Sequence, residues 1–122
     1  MPEPGYNPAV DGRPFPGEVV WTWVAYDQDS REGKDRPVLV LAVEGARLSV
    51  LELRSRRDER TRRSRQTWLE LGVGGWDRQG RESEVRLDRT LTVSIYDVRR
   101  VGAELDQAQF DEVVAARRRF QT

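Results

Sequence analysis

Cysteine and histidine are both absent from this chain of 122 residues. Without cysteine there is no disulfide framework and no thiolate nucleophile. Without histidine the usual general base is missing, and with it the Ser-His-Asp triad and nearly all zinc sites. Long apolar runs are missing too: no stretch approaches a membrane span, and the N-terminus lacks the apolar core of a signal peptide. These absences point to a soluble, cytoplasmic protein. Net charge is formally zero, with 21 basic and 21 acidic side chains, so total charge gives no support for a polyanionic partner. Lysine is almost missing, occurring once at Lys34, and the remaining positive charge is arginine.

What is present suits one domain with a single core. Met1 to Pro16 carries five prolines and little apolar content, and is expected to be a flexible arm preceding a domain over residues 17–122. From Gly17 the pattern changes. Val19 to Val24 reads as a strand with both faces at least partly covered, and Tyr26 to Asp35 as a long polar loop. Pro37 to Val43 gives a second strand, and the Glu44-Gly45 turn leads to a third over Arg47 to Leu53. Trp68, Leu69 and Leu71 resume an apolar segment that Gly72, Gly74 and Gly75 interrupt, and Val85, Leu87, Leu91, Val93 and Ile95 supply the closing strands. These short segments predict a mainly β fold, a small antiparallel barrel, with a helix at the C-terminus. Asp106 and Gln109 make a capping box for that helix, with Leu105 and Phe110 as its hydrophobic staple. Phe110, Val113, Val114 and Arg117 share one helical face.

Several patterns are candidates for chemistry. Arg36 stands where the polar loop meets an apolar strand, and Pro37 biases it towards extended backbone. A guanidinium held there matches phosphate oxygens with its planar fork of donors. Gly33-Lys34 is not a P-loop, since Gln28 and Asp35 occupy positions that need glycine and a hydroxyl. Gly72-Val73-Gly74-Gly75 fails the dinucleotide fingerprint at Asp77. Seven arginines between Arg54 and Arg65, Arg56 and Arg57 among them, form either a phosphate-tracking loop or a solvated loop with intrachain partners. Trp21 and Trp23 suit a structural role, whereas Trp68 and Trp76, beside glycines and loops, are candidates for stacking on a base. Arg86 and Asp88, two apart, would share a strand face, as a surface ion pair unless context says otherwise.

Four of these segments together resemble the PemK/MazF family of toxins from type II toxin–antitoxin systems, in the form common in actinobacteria. They are Pro16-Gly17-Glu18-Val19-Val20-Trp21-Thr22-Trp23-Val24, Gly33-Lys34-Asp35-Arg36-Pro37-Val38-Leu39-Val40, Val85-Arg86-Leu87-Asp88-Arg89, and the Phe110 to Phe120 helix. The resemblance implies an SH3-like barrel that forms a homodimer, pairs with an antitoxin and cuts single-stranded RNA without a metal or other cofactor. The cut leaves a 2′,3′-cyclic phosphate and a 5′-hydroxyl. By this resemblance Arg36, Arg86 and Asp88 are catalytic, with Asp88 as base and the arginines stabilising charge. The family's Leu-Thr-Ser-Lys type segment corresponds to Leu53-Arg54-Ser55-Arg56. Arg54 thus replaces the threonine, and Ser55 is the remaining hydroxyl, on the opposite face if the strand is unbent. Lys34, Arg54, Arg56, Arg57 and Trp76 are the expected RNA contacts. The Arg54 departure leaves a second reading, a toxin-like barrel that binds RNA or an acidic protein without cutting.

Overall fold

Two apolar rows alternate along the first three strands and send their side chains to opposite faces of one sheet. The computed structural model describes residues 13–26, 31–55 and 67–120. Arg56 and Arg57, with most of the arginine cluster, lie outside the described residues, as do residues 1–12 of the expected arm over residues 1–16. β1 (Glu18–Ala25) pairs antiparallel with β2 (Gly33–Glu44), and β2 with β3 (Arg47–Ser55). On one face Val19, Leu39, Leu51 and Leu53 join the buried core beneath the C-terminal helix. On the other, Val20, Val38, Val40, Leu48 and Val50 form a second buried cluster. Alternation of side chains along extended backbone produces this division.

Beyond Val50 and Val38 the second face turns polar. The register sets Val38 opposite Glu52 and Thr22 opposite Arg36, so a buried acid and an arginine continue the valine row. This polar end of an apolar face is what positions the site.

β4 (Trp68–Gly72), β5 (Ser83–Arg86) and β6 (Leu91–Ser94) follow, and β7 (Arg99–Glu104) returns to pair with β1. Sheet order is β4-β5-β3-β2-β1-β7, with β6 also on β3. Among the described residues the seven antiparallel strands and one α-helix are the expected small barrel with its C-terminal helix. Three local readings differ. β2 starts at Gly33 rather than Pro37, because Gly33, Lys34 and Asp35 pair with Ala25, Val24 and Trp23. Ile95 leaves the strand for a 3-10 turn whose first hydrogen bond runs from Tyr96 N to Ser94 Oγ. β7 was not expected, and its arginines give no strand pattern.

α1 (Gln107–Arg117) has the predicted ends. Gln109 N donates to Asp106 Oδ1 at 2.7 Å, and Asp106 N donates back to Gln109 Oε1. Leu105, Phe110 and Val113 are fully or almost fully buried. Gln109 Nε2 also donates to Leu71 O, and Arg117 to Thr90 Oγ1, so the helix is fastened at both ends.

Candidate active site

Glu52 is the centre of the polar end of the sheet. Its carboxylate lies 3.5 Å from Arg36 Nε, 3.6 Å from an Arg86 terminal nitrogen and 3.5 Å from one of Arg89. The residue is buried, 5% exposed, and a buried carboxylate is tolerable only with such partners. Strand geometry explains the meeting. Glu52 sits beside Arg36 on β2, while on its other side Leu53 pairs with Val85, which puts Arg86 next to Glu52.

Arg86 in turn grips Asp88 through two bonds, Nε to Oδ1 at 2.6 Å and a terminal nitrogen to Oδ2 at 3.3 Å. That hydrogen-bonded carboxylate is the main reason the Arg86 pKa is raised above an ordinary arginine's; burial opposes it, and the charges of Asp88 and Glu52 add to it. Arg36 from one segment and the Arg86–Asp88 pair from another are therefore linked, the two arginines through Glu52 and Asp88 through Arg86. Arg89 has a second job: it also reaches the carbonyls of Ala25 and Tyr26, tying down the end of β1.

Arg36 also faces a cleft of about 290 Å³ lined by Lys34, Arg54, Ser55 and Arg81. Both Arg54 and Ser55, at the end of β3, are among its lining residues. Arg86 and Asp88 do not line this cleft; Arg36 joins the two groups. Arg54 spends its charge locally. Its Nε is 2.6 Å from Glu84 Oε1, and its guanidinium stacks 3.8 Å from the centre of the Trp68 ring.

Trp76 corrects an expectation. It is 4% exposed, belongs to the main core, and donates to Ser83 Oγ at 3.0 Å. Its ring is not presented as a stacking platform. A Cβ at Gly74 would overlap that ring, so the glycine next door allows the burial. Trp21 is the partly exposed indole here, its Nε1 donating to Trp76 O.

Glu52 and Arg89 were missed. Parity was the available signal for Glu52: positions 48, 50 and 52 share a face, and an acid on a core-facing row demands a cation. Nothing in the sequence marks Arg89 apart from the other arginines.

A family model of the PemK-like, MazF-like toxins of type II toxin-antitoxin systems matches residues 15–120. The chain belongs to this PemK/MazF-like toxin family. The match takes in every described element and both segments that carry Arg36 and Arg86. No curated protein matches the chain significantly. Among the described residues no helix of this PemK/MazF-like chain is long and apolar enough to cross a membrane.

Proposed function

We propose that this chain is a toxin acting as a metal-independent, sequence-specific endoribonuclease on single-stranded RNA. The observation that carries the reading is one buried carboxylate, Glu52, holding both Arg36 and Arg86 while Arg86 holds Asp88. Two guanidiniums and a carboxylate are what cleavage by an internal 2′-hydroxyl requires. The 2′-oxygen attacks the adjacent phosphorus and its proton passes to Asp88. Negative charge gathers on the phosphorane oxygens, against Arg36 and Arg86. The bond to the 5′-oxygen breaks, that oxygen takes a proton from water, and a 2′,3′-cyclic phosphate remains. Ser55, which lines a cleft with Arg36 but not with Arg86 or Asp88, is the hydroxyl assigned to the phosphate.

Family membership supports a homodimer in the cytoplasm and a cognate antitoxin, whose acidic segment would neutralise the cleft at Lys34 and Arg36. A second reading, a barrel that binds RNA or an acidic partner without cutting, draws on Arg54. Where the family has a hydroxyl, this chain has a cation already matched by Glu84 and Trp68.

Long single-stranded RNA incubated with a chelator and the protein, or with Arg36→Ala, separates the two. Discrete cuts ending in cyclic phosphate, absent with the variant, support the nuclease. Intact RNA that nevertheless binds the folded protein supports the second reading.

A further inference from the structure

A larger cleft, about 560 Å³, adjoins the one at Arg36 and shares Trp21, Asp77 and Arg81 with it. Its lining is unusually basic, with Arg78, Arg81, Arg99 and Arg100 against a single acid, Asp77. Arg81 pairs with Asp77, Arg99 with Asp35 and Arg100 with Glu18, so three of the four guanidiniums are held in place by the fold. Arg78 is exposed, and no ion pair or hydrogen bond engages its side chain among the described residues. The wall is aromatic: Trp21 lies in β1 between Pro37 and Arg99 in register, partly exposed, with its indole N–H fixed on the Trp76 carbonyl. The turn that presents Arg78 is itself stiff, since Gln79 N donates to Asp77 Oδ1 and Gly80 N to Asp77 O.

We propose that this cleft is a second subsite for single-stranded RNA, holding the phosphate and base of a nucleotide next to the cut bond. Arg78 contacts the phosphate, with Arg99 beside it, and the base or ribose lies against Trp21. The proposal rests on the nuclease reading for which bond is cut, but not for the binding itself. Positive charge tracking a backbone, next to a π-face, is the combination by which single strands are held without base-specific hydrogen bonds. A volume of this size accommodates one nucleotide rather than a run of them. An acidic peptide would use the same charges but has no need of the indole face.

The test is binding of a short, labelled, random-sequence RNA with 2′-O-methyl riboses, which lacks the attacking hydroxyl and so cannot be cut. Fluorescence anisotropy against salt compares the unaltered chain, Arg78→Ala, Trp21→Phe and Arg118→Ala. Arg118 is exposed at the far end of the helix and controls for loss of one charge. Arg78→Ala is expected to weaken binding about fivefold, the size of one exposed charge contact. Its slope of log affinity on log salt falls by about 0.7, one single-strand phosphate. Trp21→Phe, which keeps a ring, is expected to weaken binding less and leave the slope unchanged. Equal losses for Arg78→Ala and Arg118→Ala, or no loss for either, would overturn the subsite. So would a loss confined to a poly-glutamate peptide, which would identify an acidic protein as the ligand. If RNA binds as expected but unmodified RNA stays intact, the nuclease reading fails and the subsite stands.

Discussion

At the scale of single residues, Glu52 holds three guanidiniums in one arrangement and at the same time opposes the anion they would bind. The two effects have opposite signs, which makes them separable. Glu52→Gln keeps the shape and some hydrogen bonding but removes the charge. Arg36, Arg86 and Arg89 then repel one another with nothing between them, and stability is expected to fall by about 1 to 3 kcal/mol in urea unfolding. Uncut RNA is expected to bind the variant more tightly, since a negative charge beside the cleft has gone, while cutting slows because Arg36 and Arg86 lose their common anchor. Tighter binding together with undiminished cutting would show that Glu52 does not position the arginines. Arg86 gives a pH expectation as well. Its folded pKa is raised, so its contribution to stability is complete below arginine's ordinary value and is lost only as pH rises through the higher folded one. The stability difference between the unaltered chain and Arg86→Gln should therefore be constant from about pH 6 to about pH 9.

At the scale of elements, the helix shows how far local sequence rules reach. Its capping box was legible because Asp106 and Gln109 need only each other and three residues of backbone. Asp106→Ala is expected to cost about 1 kcal/mol. Phe110→Ala empties a site in the main core and is expected to cost about 3 to 5 kcal/mol. If the two costs in urea unfolding were similar, the helix would be frayed from the barrel rather than docked on it. Strands were legible to the extent that their own pattern alternates. β1 and β3 were, whereas β7, with the sequence Arg-Arg-Val-Gly-Ala-Glu, takes its conformation from pairing with β1. Trp76 was misread because burial depends on Gly74 lying against the ring, a contact no periodicity expresses. The family resemblance grouped the three residues of the candidate site, but the contact that joins the arginines was not legible. Arg36, Arg86 and Asp88 stood out in their segments, but the acid that joins the arginines lies on a third strand and is identified only by register.

At the scale of the whole molecule, zero net charge says little about how charge is arranged at the clefts. The acids Glu18, Glu52 and Glu84 are buried within ion pairs, while Lys34 and Arg78 stand exposed at the two adjoining clefts. A polyanion approaching that side meets these two cations together with Asp35 and Asp77, so the local arrangement of charge and not its total sets the affinity. Salt then acts differently on binding and on folding. If the two clefts together neutralise about three phosphates, log affinity falls with log salt at a slope of roughly 2, so raising salt from about 50 to about 200 mM weakens RNA binding roughly twentyfold. Folding should respond little over the same range, because ion pairs with a buried partner, such as Arg54–Glu84 and Arg100–Glu18, are screened far less than exposed ones. Anisotropy and urea unfolding in the same buffers test both halves. A shallow binding slope would mean that the clefts do not face the RNA backbone. A steep loss of stability would mean that the pairs around Glu52 open to solvent more than their burial implies.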